Sequence, residues 1–360
     1  GAFRRQARLT SAPVSPEPTR RLKVAVDPVS AEDCRAIDDA AALVVAGRLV
    51  AFPTETVYGL GADATSDAAV ARVYAAKGRP ARNPLIVHAS DPEQGLIVAR
   101  ADDRARVLAG LFWPGPLTMV MKRRADCRIA DAATAGGPTV AVRVPALSAA
   151  RALIRAAGVP MVGPSANRSG HVSPTTADHV LADLDGRIAA VLDAGPCPVG
   201  VESTVIDLSG PRVRVLRPGA ITTSMLRAAL GADDLADPAD GGDLPADDGL
   251  SALPSPGMLG SHYAPGHAVR LDATAPLPGR REVLLAYGPP PPGFAHVLQL
   301  SADARPREAA RRLYALLRAA DGFDVDGIAV APLQVSPADP DGEILAALAD
   351  RLGRAAAPRD

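Results

Sequence analysis

The chain has 360 residues, which is too long for one ordinary hydrophobic core and predicts two domains. Its formal net charge of −1 argues against a surface that is cationic throughout and would coat a nucleic acid, although local basic patches fit that charge. No stretch reaches the roughly 18 apolar residues of a membrane-spanning helix, and the N-terminal residues lack the apolar core of a secretory signal. We therefore expect a soluble, cytoplasmic protein.

Cysteine and histidine spacing argues against a disulfide framework and against a zinc site. The three cysteines, Cys34, Cys127 and Cys197, lie far apart and include no Cys-x-x-Cys pair. The six histidines show neither the His-Glu-x-x-His pattern nor a mixed His and Cys ligand spacing. We expect a reducing compartment and no structural metal.

Residues 1–22 are rich in Arg and Pro, a composition typical of a disordered N-terminal extension. Residues 23–231 alternate between helical and strand patterns, which predicts an α/β or α+β domain with a mixed sheet. Its first helix begins at a capping box of Ser30 and Asp33 and runs to Ala46. Further helices are predicted at 67–77, 102–111, 148–157, 175–183 and 223–230. Strands are predicted at 49–52, 85–87, 117–121, 139–144, 159–162, 190–192, 204–208 and 213–216.

A linker is predicted at 232–266, because seven aspartates crowd residues 232–248 among Gly and Pro. Residues 267–356 then predict a small α/β domain, and its alternation of strands and helices suggests a Rossmann-like sheet. No G-x-G-x-x-G follows a strand there, so a dinucleotide site is not supported. Its strands are predicted at 283–287, 297–300 and 328–331, and its helices at 306–320 and 342–356.

The segment from Lys77 to His88 sets polar side chains on stiff backbone. Lys77 continues the apolar stripe of the preceding helix, which predicts an ammonium that points inward; the alternative is a cation that only closes the helix C-terminus. Two prolines then force extended backbone before a short strand. Lys77, Arg79, Asn83 and His88 are thereby placed to bind a polyanion.

Hydroxyl-rich loops follow two of the predicted strands. Thr54 and Thr56 lie in a Gly-rich loop that suits either ligand binding or simple threonine capping. Residues 163–170 carry Ser165 and Asn167 but lack the last glycine of G-x-S-x-G, and no His and acid stand out as partners. A serine hydrolase is therefore not favoured, and this loop better suits phosphate oxygens or a nucleotide.

Two arginines stand at or near strand ends. Arg143 interrupts a strand of valines, where an exposed position is the commoner interpretation and a buried anion partner is the alternative. Arg217 ends another strand, close in sequence to the hydroxyl loop of Ser203. With the cations of the Lys77 segment, these residues predict a basic pocket on a sheet. Since no Walker A sequence and no obvious nucleophile are present, the pattern favours catalysis by positioning and charge neutralisation.

The chain resembles the threonylcarbamoyl-AMP synthase family, which has a YrdC-like fold, in its longer two-domain form. The resemblance covers roughly residues 30 to 230 and continues through SPGM and HYAP into the C-terminal domain. The motifs that carry it, in chain order, are PTETVYGLGAD, KGRP, NPLIVH, WPGPLT, RVP, PSANRSG, GVESTVID and LRPG.

This resemblance implies a nucleotidyltransferase that converts L-threonine, bicarbonate or CO2, and ATP into threonylcarbamoyl-AMP and pyrophosphate. The product would pass to a downstream transferase machinery that modifies tRNA beside the anticodon, with weak direct tRNA binding also possible. Mg²⁺ would accompany ATP, held by phosphates and water rather than by protein ligands.

The resemblance also implies roles for individual residues. A tetrad used for binding and turnover corresponds to Lys77, Arg79, Ser165 and Asn167. Residues around threonine correspond to Thr54, Thr56, His88, Arg143, Gly163 and Ser203. ATP contacts correspond to Arg79, Asn83, Thr139, Ser165, Ser173, Arg217, His262 and Tyr263.

The linker is expected to pack over the site, with His262 and Tyr263 closing the nucleotide pocket. The common form has a basic residue between Gly-Met and His-Tyr, whereas this chain has Leu259, Gly260 and Ser261 there. A purely structural hinge is therefore the alternative at His262. For the whole protein, the alternative function is a module that binds double-stranded RNA or tRNA without catalysis.

Overall fold

The structure, a computed structural model, describes residues 18–231, 234–236, 262–334 and 339–358. Most of the expected N-terminal extension and of the linker therefore lies outside the described residues. Within them, ten strands form one large mixed sheet and four form a smaller one, and helices flank both. The predicted α/β class with a mixed sheet is confirmed.

The ten strands of the large sheet all come from the N-terminal part of the chain. They are β1 (Arg20–Lys23), β2 (Val50–Phe52), β3 (Gly59–Asp63), β4 (Ile86–His88), β5 (Leu117–Lys122), β6 (Thr139–Arg143), β7 (Met161–Val162), β8 (Ala190–Asp193), β9 (Thr204–Asp207) and β10 (Arg214–Arg217). Their spatial order is β1-β8-β2-β3-β7-β4-β6-β5-β9-β10.

Helices of this part begin at side-chain caps in most cases. They are α1 (Ala31–Val45), α2 (Asp67–Lys77), α3 (Pro92–Ile97), α4 (Asp103–Phe112), α5 (Ser148–Ala157), α6 (Ala177–Leu184) and α7 (Thr223–Leu230), with a 3₁₀ turn at Asp131–Thr134. The capping box predicted at the start of α1 is present, since Ser30 and Asp33 exchange hydrogen bonds.

The C-terminal part has a parallel sheet in the order β11-β14-β12-β13. Its elements are β11 (Val269–Arg270), β12 (Glu282–Tyr287), β13 (His296–Ser301), α8 (Pro306–Ala320), β14 (Gly327–Val330) and α9 (Ile344–Ala356). Its core continues into the N-terminal part, because Val57, Val172 and Val201 pack in the same apolar cluster as Leu313 and Tyr314. The two parts therefore share buried surface close to the loops that carry the sequence motifs.

Several segments differ from the sequence expectations: the short elements α3 and β11 were not predicted, and three further segments bear on the sheet and the domain boundaries. Arg20–Lys23 pairs with β8, so the disordered extension cannot reach residue 22. Gly59–Asp63, expected as part of a loop, is a strand between β2 and β7, and a Cβ at Gly61 would lie 2.4 Å from Met161 Cε. Leu235, expected in the linker, is buried and bridges to Val213. Strand propensity does not predict Arg-rich and Gly-rich strands, because tertiary packing rather than local sequence stabilises them.

Successive residues of each strand point to opposite faces of the central sheet, and the two faces have different surroundings. Val87 and Val142 point into the main core under the helices, whereas their neighbours Ile86 and Ala141 belong to a small separate cluster on the opposite face. His88 and Arg143 are Cα partners at the ends of β4 and β6 on that same opposite face. The polar motif residues thus share one face because their strands have matching register.

No helix in the described part of the chain is long and apolar enough to cross a bilayer.

Candidate functional site

A pocket lies on this second face of the large sheet, above the apolar cluster of β4, β5, β6, β9 and β10. Its walls come from loops that are distant in sequence. The lining residues are Thr56, Val57, Arg79, Ile86, His88, Arg143, Gly163, Pro164, Ser165, Glu202, Ser203, Arg217, His262 and Tyr263.

Arg143 reaches one end of the pocket from the last position of β6. It is 4% exposed, so the commoner interpretation of an exposed arginine is wrong. Its guanidinium donates to Glu55 Oε1 at 2.6 Å and to the Thr56 hydroxyl at 2.9 Å. Glu55 also accepts from the backbone N–H of Ala146 at 2.9 Å. This carboxylate compensates the buried charge and fixes the guanidinium beside the pocket.

The loop of Thr54 and Thr56 divides its two predicted roles between the two threonines. The Thr54 hydroxyl donates to the Val57 carbonyl at 2.6 Å and accepts from the N–H groups of Thr56 and Val57. Thr54 therefore acts as the capping residue of the loop and does not line the pocket. Thr56 lines the pocket, and its hydroxyl is held by Arg143.

His88 stands next to Arg143 and is enclosed by Phe52 and Gly163. Its ring lies edge-on to Phe52 with centroids 5.5 Å apart, and its Nδ1 has no hydrogen-bond partner among the residues that the structure describes. Burial, and after it the charge of Arg143, lowers the pKa of His88 to about 3. The imidazole is therefore neutral at physiological pH.

Arg79 enters the pocket after the αL residue Gly78, which ends α2. Its guanidinium donates to Asn83 Oδ1 at 2.6 Å and to the carbonyls of Asn83 and Pro84. Burial lowers the pKa of Arg79 to about 10, which leaves it cationic at neutral pH. Asn83 is fully buried, and its Nδ2 meets no acceptor in the described part of the chain. The prolines predicted to stiffen this segment thus hold a cation and an unused amide donor side by side.

Lys77 lies behind the pocket wall rather than in it. Its ammonium points inward, as predicted, and donates to the carbonyls of Ser165 and Asn167 at 2.5 and 2.6 Å. Burial, and then the charge of Arg79, lowers the pKa of Lys77 well below its usual value. Asn167 also stays behind the wall and donates to the carbonyls of Arg168 and His171. Of the predicted tetrad, Arg79 and Ser165 line the pocket, while Lys77 and Asn167 hold the Ser165 loop.

Ser203 and Arg217 also line the pocket. Arg217 donates to the Ser203 carbonyl at 3.1 Å and to its hydroxyl at 3.2 Å, and Ser203 also contacts the Thr118 hydroxyl at 2.8 Å. Neither Arg79 nor Arg217 forms an ion pair with any residue that the structure describes. Within those residues, the pocket therefore presents two buried cations without carboxylate partners.

Glu202 lines the same pocket and was not singled out by its sequence pattern. Its carboxylate accepts from Ser173 Oγ at 2.6 Å, from the Tyr314 hydroxyl at 2.7 Å and from Arg351 Nε at 3.0 Å. Burial acts to raise the pKa of Glu202, but Arg351, Arg217 and the two hydroxyl groups outweigh it and hold the pKa at about 2. The signal that could have identified it is an acid inside GVEST, among motifs poor in acids.

His262 and Tyr263 close the pocket from the far end of the linker. Both are buried, and Ala264 donates to the carbonyl of Gly170 at 2.9 Å, which anchors this segment to the Ser165 loop. Tyr263 stacks on Tyr314 with centroids 5.7 Å apart. Burial lowers the pKa of His262 to about 3, and its Nδ1 has no partner within the described ranges. Both rings therefore lie in the pocket lining despite the altered linker sequence, and linker residues 251–261 lie outside the described residues.

Thr139 and Ser173 lie outside the pocket lining. Thr139 begins β6 on the same face as Arg143, about 13 Å away for four residues of extended chain. Ser173 is buried against Glu202. Neither residue therefore lines the pocket, although Thr139 shares the strand face of Arg143.

Two family models match the chain. Sua5_yciO_yrdC, whose description is telomere recombination, matches residues 42–219. The model for the threonylcarbamoyl-AMP synthase C-terminal domain matches residues 221–357.

Curated relatives and a solved structure are similar to the chain. The threonylcarbamoyl-AMP synthase of Bacillus subtilis (strain 168) is 46% identical over 234 residues, which are 64% of this chain and 64% of the relative. That of Pyrococcus abyssi (strain GE5 / Orsay) is 44% identical over 233 residues, 64% of this chain and 66% of the relative. The chain thus spans just under two thirds of these relatives. The crystal structure of P. abyssi Sua5 complexed with L-threonine matches with a TM-score of 0.81 and 35% identity, over 94% of this chain and 98% of that chain.

Proposed function

This chain belongs to the threonylcarbamoyl-AMP synthase family, in the long form with a C-terminal domain, and we propose that it converts L-threonine, bicarbonate or CO2, and ATP into threonylcarbamoyl-AMP and pyrophosphate. The observation that carries the proposal is the division of the pocket into two unlike ends. At one end a neutral His88 lies beside Arg143, and at the other Arg79 and Arg217 are cations without carboxylate partners among the described residues. Such a pocket suits a small amino acid next to a polyphosphate.

The His88 end is assigned to threonine. A carboxylate finds Arg143 and the hydroxyls of Thr56 and Ser203 within one buried wall. Gly163 packs directly against the His88 ring there, because a Cβ at that position would lie 2.7 Å from His88 Nδ1. Thr54 contributes by holding the loop that presents Thr56. The relative P. abyssi Sua5 was solved in complex with L-threonine, which supports threonine as a ligand of this chain.

The Arg79 and Arg217 end is assigned to ATP. Two guanidinium groups can each bind two phosphate oxygens, and Asn83 Nδ2 is a buried donor that no described residue satisfies. Thr139, farther along the same strand face, suits an ATP molecule that extends away from threonine. Ser165, His262 and Tyr263 enclose this ligand, and Ser173 contributes through Glu202.

The reaction needs no nucleophilic side chain. The neutral amino nitrogen of threonine forms a bond to the carbon of CO2 and gives up one proton to solvent, which yields a carbamate. A carbamate oxygen then attacks the α-phosphorus of ATP. The new O–P bond forms as the bond to the bridging oxygen of pyrophosphate breaks, and the electron pair leaves with pyrophosphate. Negative charge grows on the equatorial and leaving oxygens, and fixed donors such as Arg79 and Arg217 stabilise it by about 2–4 kcal/mol each.

Mg²⁺ is proposed to enter with ATP. The part of the chain that the structure describes holds no group of three His, Cys, Asp or Glu side chains able to bind a metal ion. Glu202 is the acid in the described pocket lining, and its oxygens already accept three hydrogen bonds. Phosphate oxygens and water would therefore supply the ligands, and the ion would neutralise triphosphate charge.

The mixed anhydride product is an activated acyl group, so we propose that a downstream transferase in the cytoplasm consumes it in tRNA modification. The names of the curated relatives favour catalysis over the alternative of an RNA-binding module. Weak direct tRNA contact remains compatible with this function.

The test is pyrophosphate release from the full chain with ATP, bicarbonate, Mg²⁺ and L-threonine, with threonylcarbamoyl-AMP identified by mass spectrometry. We expect release only when threonine is present. Release that is indifferent to threonine would refute the specific reaction. Binding of tRNA that falls steeply with salt, together with no binding of ATP, would favour the RNA-binding alternative.

A further inference from the structure

A fully buried arginine of the C-terminal part, Arg351 on α9, contacts two loops of the pocket. Its Nε donates to Glu202 Oε2 at 3.0 Å and its Nη2 to the Glu202 carbonyl at 3.3 Å. Its Nη1 donates to the Pro218 carbonyl at 2.9 Å and to Asp350 at 2.8 Å. Glu202 and Pro218 are the chain neighbours of Ser203 and Arg217, which both line the pocket.

The negative charge of Glu202 can attract two different arginines, Arg351 and Arg217. Its carboxylate stays ionised, because Arg351 first and then Arg217 hold its pKa down against burial. Both arginines therefore act on one anion, yet of these two Arg351 is the one within hydrogen-bond distance of it. A buried carboxylate without Arg351 would need a new counter-ion, and the cation that also lowers its pKa is Arg217. An Arg217 paired in that way would no longer be free to bind phosphate.

Resting on the proposed function, we propose that Arg351 is a positioning residue of the ATP site: it pairs with Glu202 and thereby keeps Arg217 free for the phosphates of the nucleotide. Tyr314 on α8 assists by donating to the same Glu202 oxygen at 2.7 Å. Both residues belong to the C-terminal part, which otherwise contributes no side chain to the described pocket lining beyond the segment of His262 and Tyr263. The C-terminal domain thus completes the electrostatics of the nucleotide site.

The test compares Arg351→Met, Glu202→Gln and the double variant E202Q/R351M by calorimetric titration of ATP and, separately, of L-threonine. We expect Arg351→Met to weaken ATP binding about 10- to 100-fold, the scale of one lost charge-assisted hydrogen bond, and to change threonine binding about twofold or less. E202Q/R351M should restore ATP affinity to within about threefold of the parent, because the neutral amide that replaces the Glu202 carboxylate does not compete for Arg217.

A matched control is Glu343→Ala, which removes a contact between the start of α9 and Ser224 on α7, away from the pocket. It should leave ATP affinity unchanged. Should Arg351→Met fail to fold, Arg351→Lys is titrated instead: because it keeps a positive charge beside Glu202, it should bind ATP within about threefold of the parent, and a loss of about tenfold or more would contradict the proposal. Equal loss of ATP and threonine binding, or a double variant that stays as weak as the single one, would overturn the proposal.

These outcomes are separable from the proposed function. ATP affinity is measured without turnover, so a protein that binds ATP and shows the rescue but releases no pyrophosphate would refute the reaction alone. Normal pyrophosphate release with no effect of Arg351→Met would refute the positioning role alone.

Discussion

Arg143 and Glu55, 88 residues apart, form an ion pair of 2.6 Å in which both side chains are almost completely buried. The pair joins the end of β6 to the loop after β2, and it places the guanidinium against Thr56 at the His88 end of the pocket. In a buried ion pair each charge offsets the desolvation penalty of the other. Removal of one partner therefore leaves a buried charge without a counter-ion, which destabilises the fold.

Glu55→Ala should lower the free energy of unfolding by about 3–5 kcal/mol, because it leaves Arg143 buried without a counter-ion. The value is measured by urea denaturation. The matched control is Asp126→Ala, which breaks the exposed pair of Arg124 and Asp126 and should change the free energy of unfolding far less than Glu55→Ala does. Equal effects of the two substitutions would show that burial does not decide the strength of the Arg143 pair.

Lys77→Ala and Arg79→Ala should each lose most of the pyrophosphate-forming activity, by about 100-fold or more in kcat/KM. The reasons differ. Arg79→Ala removes a cation from the pocket, whereas Lys77→Ala removes the donor that holds the carbonyls of Ser165 and Asn167. Near-normal turnover of either folded variant would remove that residue from the mechanism. Circular dichroism checks the fold of each variant.

Gly163→Ala should raise the KM for threonine about tenfold or more, because the added methyl would lie 2.7 Å from His88 Nδ1 and 2.9 Å from Phe52. Steady-state kinetics with threonine varied measure the effect. The control is Gly110→Ala in α4, whose added methyl meets no described atom within 4 Å and should leave kinetics unchanged. A Gly163→Ala enzyme with the parent KM would show that this glycine does not border the threonine site.

The two buried histidines should make the protein less stable in mild acid. The folded pKa of His88 and of His262 is about 3, below the unfolded value of about 6.5. Between these values the unfolded chain binds a proton that the folded chain does not, so stability falls as pH falls through 6.5. From about pH 7.5 to about pH 5.5 each histidine should cost about 1.4 kcal/mol.

Urea denaturation at these two pH values measures the loss. His88→Asn should remove about 1.4 kcal/mol of this loss, to which His262 and also His179, whose pKa burial lowers to about 4, contribute separately. The acids lie outside this window, since the stabilising ionisation of Glu202, for example, is lost only as pH falls from its usual range towards about 2. An unchanged pH dependence in His88→Asn would contradict the burial of a neutral imidazole.

Local sequence patterns predicted much of the fold. The helices α2, α5, α7 and α8 begin and end at the predicted residues, because caps, helix formers and breaking glycines or prolines act within a few positions. β1 and β3 were missed, since the Arg-rich context of one and the glycines of the other oppose strand propensity. β1 is stabilised by pairing with β8, and β3 by pairing with β2 and β7. A local sequence pattern does not contain these pairings.

The sequence by itself determined which residue types lie at the strand ends, because each motif contains both the strand residues and the turn residues that end the strand. Tertiary structure alone decided their partners. It buried Arg143 against Glu55, placed Lys77 behind the pocket wall, and brought Arg351 to Glu202 across 149 positions. Whether a charge is exposed, structural or free for a ligand depends on the atoms around it, and those atoms come from distant parts of the chain.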